Sequence, residues 1–456
     1  MAIKNNYILG EHLTNPSKKI EWNPELLNNP HLMIVGQSGS GKTYLLKKII
    51  SYLDTQKIKT FVIDFHGDII TDKEQKFEFS MINPKYGIGV FEFEMDEKKG
   101  GVYNRINDLI QIFKGSFFDM SSLREAVLKK LLYDVYYQKG YIADDPSTWS
   151  KPLSELPTLE DLKKLISDLK EILNTKKKEP VILSDNLKQL NNLTEAAFTE
   201  DINDKTEKEK EKITEEFLSK SEKIFQEFQK ELVNNLNDST SQKDINALIT
   251  KRLNIKDFSI YQQKNVLSSI EGLEIYIDSM IEAKIFQQHN PIPDKTKNTF
   301  RFDLSFLTDN VMFFTANLIV QRIFTKARQT YKPGDEHKKG IRTYIVIDES
   351  KLVMPTGKDK ENPFHFLNRI VSESRKFGLG VILVSQRINH YSEEMLTNIA
   401  AKLILKVSNN DKTIAKNKLG IDTKMQELLN SRDYGIAVGN FNNKEVVPIL
   451  LDGAKR

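Results

Sequence analysis

The chain has 456 residues, enough for two or three domains or for one large core carrying an insertion. It contains no cysteine, which excludes disulfides, thiolate zinc sites and cysteine nucleophiles. A net charge of +4 is compatible with nucleic acid but is spread along the chain, and the absence of an apolar signal region or of any run of about 18 apolar residues predicts a soluble, cytoplasmic protein with no membrane contact.

In chain order, residues 7–24 predict one or two strands. LMIVG at 32–36 is a continuous apolar run of strand length, as expected for a strand buried on both faces of a parallel sheet. A helix through about Leu53 and a second buried strand, TFVIDF at 60–65, complete a β-α-β unit. FEFSMINP and GVFEFEMD alternate apolar and polar residues and predict two more strands.

From about Asp96 the pattern turns to long helices rich in Lys and Glu. At 205–236, Ile213, Phe217, Ile224, Phe228, Leu232 and Leu236 recur at helical spacing. An amphipathic helix packed on its neighbours explains this better than a projecting coiled-coil arm, because the apolar seam lasts barely three heptads. DSTSQKD at 238–244 and HNPIPDKTKN at 289–298 mark breaks.

Core-like sequence then resumes. A helix over about 310–331 precedes RTYIVIDES at 342–350, and LGVILVSQR at 379–387 and AKLILKV at 401–407 are further buried strands. GIAVGNF and EVVPILL form a terminal hairpin. Strand and helix alternate on both sides of the insert, which predicts an α/β fold whose mainly parallel sheet is interrupted by a large helical insertion. The expected domains are a short β segment at 1–30, a core at 31–95 and 300–456, and the helical, partly coiled-coil-like insertion at 96–299.

Three motifs carry chemistry. Gly36, Gln37, Ser38, Gly39, Ser40, Gly41, Lys42 and Thr43 match the phosphate-loop pattern G-x-x-x-x-G-K-[ST] without a gap. Such a loop must turn backbone N–H groups inward through φ values that side chains resist, and the following helix adds its unsatisfied N–H groups. Lys42 offers a charge to the β and γ phosphates of ATP, and the Thr43 hydroxyl a ligand to Mg²⁺. Second, YIVIDES places Asp348 and Glu349 at the C-terminal end of a buried strand, where open α/β sheets bind ligands. Asp348 suits Mg²⁺ binding through water, and Glu349 suits polarising the water that attacks the γ phosphate. Third, a strand ending in Ser385 and Gln386, if it lies beside the Asp348 strand, brings a neutral amide near that phosphate.

NPHLMIVGQSGSGKT, VIDFHGD, YIVIDES and ESRKFGLGVILVSQR stand in the order found in the HerA/FtsK superfamily of ring-forming DNA-pumping ATPases, and the chain resembles that family, its HerA branch most closely. RFDLSFLTDNVMFFTANLIVQRIF resembles the helix the family places before its acidic strand, and the likeness covers about 7–150 and 300–450. It implies a RecA-like P-loop core, a homohexamer, Mg-ATP hydrolysis, threading of double-stranded DNA, and a separate nuclease or effector in DNA processing or in defence against foreign DNA. By matching position it implies Lys42 and Thr43 as phosphate and metal contacts, Asp348 as metal ligand, Glu349 as base, Gln386 as sensor and Arg375 as an arginine finger acting across a subunit boundary. His66 also matches a family position and receives no role. Arg387 and His390, beside the sensor, are candidate pore residues.

Two departures stand out. Only about 30 residues precede the phosphate loop, where the family usually has a full β-barrel, and ESKLVMP replaces the alanine and histidine more often found after the glutamate. A nucleotide-switched scaffold that assembles an effector without moving DNA is the competing reading. A conjugation-type coupling ATPase is disfavoured by the lack of a membrane segment.

Overall fold

The computed structural model describes residues 6–93, 100–117, 120–174, 246, 249–286, 290–331, 340–355, 360–361, 365–429, 435–442 and 445–453. The coiled-coil reading of 205–236 and the break at 238–244 lie outside them. The chain forms two compact units, Met1–Met120 with Asp278–Arg456, and Ser121–Ile277.

The first unit is built on an eleven-stranded sheet in the order β2-β1-β11-β10-β9-β3-β8-β7-β4-β6-β5. The strands are β1 (Tyr7–His12), β2 (Asn15–Trp22), β3 (Leu32–Val35), β4 (Lys59–Asp64), β5 (Gln75–Ser80), β6 (Thr299–Phe306), β7 (Thr343–Ile347), β8 (Leu379–Ser385), β9 (Ala401–Ile404), β10 (Ile436–Phe441) and β11 (Glu445–Leu451). From β9 to β5 every pairing is parallel. From β9 to β2 every pairing is antiparallel.

The parallel strands are apolar on both faces because both faces are buried. Val62, Tyr344, Val346, Ile382 and Val384 join a cluster with Leu45, Leu46, Ile49, Ile50 and Leu53 of helix α1 (Lys42–Thr55). The alternate residues Ile63, Ile345, Ile347, Val381 and Leu383 are equally buried. The predicted helix at 310–331 is α3 (Asp309–Thr330), and the terminal hairpin forms as read.

Three features differ from the sequence reading. RFDLSF, taken with the helix before the acidic strand, is strand β6, inserted between β4 and β5. GVFEFEMD forms no strand over its described residues, 89–93. There the backbone is satisfied by side chains: Gly89 N–H donates to Asn290 Oδ1 (3.1 Å), its carbonyl accepts from Arg322 (2.8 Å), and the Val90 carbonyl accepts from Arg105 Nε (2.9 Å). Helix α2 (Gly101–Ser116), read as insertion, falls within the first unit because it packs on α3, with the Phe113 and Phe314 rings 4.9 Å apart.

The second unit is helical among its described residues, with Leu128, Leu131, Leu132, Leu162, Ile166, Leu169 and Ile270 in its interior. Its buried Asp134 pairs with Lys130 and accepts from the Tyr261 hydroxyl (2.8 Å). Burial still pushes the Asp134 carboxyl above the usual range.

Candidate functional site

The site lies at the C-terminal ends of β3, β8, β7 and β4. Neighbouring parallel strands leave their carboxyl ends on one edge, so residues far apart in sequence converge there. The phosphate loop leaves β3 with Gly36 N–H bonded to the Ser385 carbonyl (3.2 Å) and Gln37 N–H to the Lys406 carbonyl (2.7 Å). A Cβ at Gly36 would collide with Ser40 Oγ and lie 2.9 Å from Leu405 Cβ, so this position excludes any side chain. Gly41 takes φ 91° immediately before α1, whose first turn has no side-chain cap. Its unsatisfied N–H groups therefore face the loop's concavity.

Strand β8 separates β3 from β7, as the reading of Gln386 required. Asp348 follows β7 with its N–H on the Ile63 carbonyl (3.3 Å), and Glu349 adopts a left-handed conformation, φ 54° and ψ 48°. A non-glycine residue in that region stores on the order of 1 kcal/mol of strain, and it turns the side chain back over the strand end. There Gln386 Nε2 donates to Glu349 Oε2 (3.1 Å). Lys351 Nζ lies 3.1 Å from Oε1 as an ion pair without hydrogen-bond alignment. Lys351 is thus a neighbour of the predicted base that the sequence showed only as part of the departure ESKLVMP after the acidic strand.

Lys42 Nζ donates to the Gln37 carbonyl (3.0 Å), folding the lysine back across its own loop. Burial pulls its pKa down, opposed by Glu349 and Asp348. The loop glycine Gly39 has open space where a Cβ would stand, and the buried Ser40 hydroxyl has no hydrogen-bond partner among the described residues. An open, N–H-lined cradle with one lysine, a hydroxyl at Thr43 and a carboxylate pair fits a polyphosphate carrying Mg²⁺.

Carboxylate oxygens of Asp64, Asp68 and Asp348 lie within 4.8 Å of one another, close enough to share a metal ion. Asp64 is already committed: it accepts from the N–H groups of His66 (3.2 Å), Gly67 (2.8 Å) and Ile69 (3.1 Å) and pairs with Arg301 (3.0 Å). Its role is to fold the DFHGD loop and set Asp68 beside Asp348. The sequence reading singled out only His66 from this motif and gave it no role; that residue is exposed. Arg387 is exposed, whereas His390 Nδ1 is hydrogen-bonded to Ser385 Oγ (2.6 Å) and burial lowers its pKa. Arg375 is not brought to this edge. It is exposed in the turn Ser374–Phe377, before β8, at the opposite end of the strand from Gln386.

Burial, followed by the charges of Asp68, Asp64 and Glu349, pushes the Asp348 carboxyl up to about 6. The folded value lies above the unfolded one, so the folded state holds the proton longer, and stability is lost as pH rises between about 4 and 6. Asp348→Asn should therefore stabilise the metal-free protein at pH 7 by on the order of 2 kcal/mol. Urea unfolding in EDTA measures this, and a variant less stable than the parent at pH 7 would contradict it.

Residues 7–103 match the family model described as Helicase HerA, central domain. A probable helicase of Methanocaldococcus jannaschii is 28% identical over 174 residues, 37% of this chain and 33% of the relative. The DNA double-strand break repair helicase HerA of Sulfurisphaera tokodaii is 26% identical over 235 residues, 49% of this chain and 46% of its own length. The chain thus spans half or less of these relatives' length. Among solved structures, VirB4 of Thermoanaerobacter pseudethanolicus aligns over 100% of this chain and 98% of its own, with a TM-score of 0.63 and 13% identity. The plasmid coupling protein TrwB in complex with ADP and Mg²⁺ aligns over 93% and 86%, with a TM-score of 0.54 and 12% identity. At these identities the structural likeness concerns the fold, a RecA-like P-loop core. No helix among the described residues is long and apolar enough to cross a membrane.

Proposed function

We propose that this chain, a member of the HerA/FtsK superfamily of P-loop ATPases, is a Mg-ATP-driven motor that moves double-stranded DNA. The observation that carries this reading is the convergence of the Lys42 loop, the Asp348–Glu349 pair and the Gln386 amide on one sheet edge while Arg375 stands at the other. In this reading the loop N–H groups and Lys42 bind the β and γ phosphates, Lys42 exchanging the Gln37 carbonyl for phosphate oxygen. Thr43 and Asp348 hold Mg²⁺, which supplies neutralisation of the phosphate charge. Glu349 accepts a proton from the attacking water, and Gln386, already bonded to that carboxylate, reports whether the γ phosphate is present.

Because Arg375 stands a strand length from its own nucleotide, a ring in which it reaches the neighbour's site is the assembly that uses it. A homohexamer is the form we propose, working in the cytoplasm with a separate nuclease or effector in DNA processing or defence.

Duplex DNA should stimulate ATP hydrolysis, and its affinity should fall by about 10³- to 10⁵-fold between 50 and 200 mM salt if six to ten phosphate contacts are made. Fluorescence anisotropy and a coupled ATPase assay measure the two. Hydrolysis indifferent to DNA, with a flat salt response, would instead identify an ATP-regulated scaffold.

A further inference from the structure

The nucleotide edge is not the only place where charge and shape converge. At the opposite edge of the sheet, under the N-terminal ends of β4, β6 and β7, an open cavity of about 960 Å³ lies within the first unit. That volume is at the upper end of small-ligand sites, about 300–1,000 Å³. Phe61, Phe300 and Phe302 form its floor. The Phe61 ring is stacked on Phe300, with centroids 5.2 Å apart and planes 23° from parallel, and it alone of the three is only partly buried. The stack covers one face of the Phe61 ring, and the remainder of its partly exposed surface lines the cavity.

The walls carry the opposite character. Seven cationic side chains line the cavity against two carboxylates, which fixes the sign of the field inside it. One of the two, Glu92, is already paired with Arg322 (3.0 Å). Lys59 and Lys326 stand exposed at the mouth with no partner among the described residues. Arg342 is fixed, its guanidinium donating to the Phe377 carbonyl (3.1 Å). A partly exposed aromatic ring with one fixed and two exposed cations around it suits a ligand that is flat at one end and anionic at the other. Base–aromatic stacking is worth about 1–3 kcal/mol per base, and phosphate supplies the anion.

We propose that this cavity is a second nucleotide-binding site, separate from the phosphate loop, which stacks one unpaired nucleobase on Phe61 and holds its 5′-phosphate between Lys59, Lys326 and Arg342. A base inside a duplex has no free face to offer, so the ligand is a free nucleotide or a nucleotide of a single strand. The cavity also adjoins the turn that carries Arg375, because Phe377 lines it and Arg342 N–H is bonded to the Gly378 carbonyl (2.9 Å). Occupancy would thereby stiffen the turn on which the finger is mounted.

The test is calorimetric titration of the full chain with adenosine 5′-monophosphate, with a 5′-phosphorylated deoxyadenosine hexamer and with inorganic phosphate. The monophosphate lacks the β and γ phosphates that Lys42 addresses. Expected are saturable binding of the first two, at least tenfold weaker binding of inorganic phosphate, and affinities unchanged in Lys42→Ala. Lys59→Glu/Lys326→Glu, at two exposed positions, should lose tenfold or more, and Phe61→Leu about as much. Tighter binding of the hexamer assigns the site to a strand, and equal binding assigns it to free nucleotide. Absence of saturable binding at millimolar ligand, inorganic phosphate binding as well as the monophosphate, or binding lost in Lys42→Ala but kept in the lysine double variant would each overturn the proposal.

Discussion

Arg375→Ala is expected to bind ATP as the parent does and to lose turnover by about 10³- to 10⁵-fold, the range found for arginine fingers. The reasoning is geometric. β8 runs seven residues from Leu379 to Ser385, which separates Arg375 from the Gln386 end by roughly 20 Å at about 3.3 Å per residue. No rotamer of an arginine spans that distance within one subunit. The guanidinium can stabilise transition-state charge only at a site presented by a neighbour. Mixing Arg375→Ala with Lys42→Ala protein should restore part of the activity, because some interfaces then join an intact loop to an intact finger. Steady-state hydrolysis in verified mixed rings reads this out. A fully active Arg375→Ala protein would leave the residue a surface cation worth about 0–1 kcal/mol.

Glu349→Gln is expected to keep nucleotide affinity and lose about 10²- to 10⁴-fold in turnover, as removal of a general base does. The substitution preserves shape, and Gln386 can still donate to the amide oxygen that replaces Oε2. What disappears is the proton acceptor and the partner of Lys351. Single-turnover hydrolysis beside equilibrium binding of a labelled nucleotide separates the two effects. Turnover within threefold of the parent would move the base elsewhere, with Asp68, whose carboxylate lies beside that of Asp348, the next to test.

The phosphate loop, the acidic strand and the Gln386 strand were legible because each is a long apolar run ending in polar residues, a pattern that depends little on the rest of the chain. β6 was not, because Arg301 and Asp303 interrupt its apolar residues in a strand buried along most of its length. They are tolerated only because they meet one another and Asp64, Glu74 and Lys76 inside the fold. That pairing is a property of the assembled sheet, absent from any local window. The alternation in residues 89–93 misled for the converse reason: a strand-like pattern found its hydrogen bonds in Arg105, Asn290 and Arg322 instead of a ladder. Asp68 could have been found, since DFHGD follows a buried strand that reaches the same edge as Asp348. Its use depends on Asp64 folding the loop, which no spacing rule expresses.

The pairing of β1 with β11, which sets Gly10 opposite Leu451, has a consequence for how the chain is made. A ribosome delivers residues in order, so the β1–β2 pair waits until residue 451 has emerged before its other neighbour, β11, is complete. β3, and with it the phosphate loop, has neither flanking strand until residue 385 has emerged and not both until residue 404. Closing such separations is entropically costly before the contacts form, and high contact order slows folding. A nascent chain carrying the complete G-x-x-x-x-G-K-T motif would therefore be unable to hold ATP. Nucleotide could act as a late clamp on the finished sheet, but not as an early template for it.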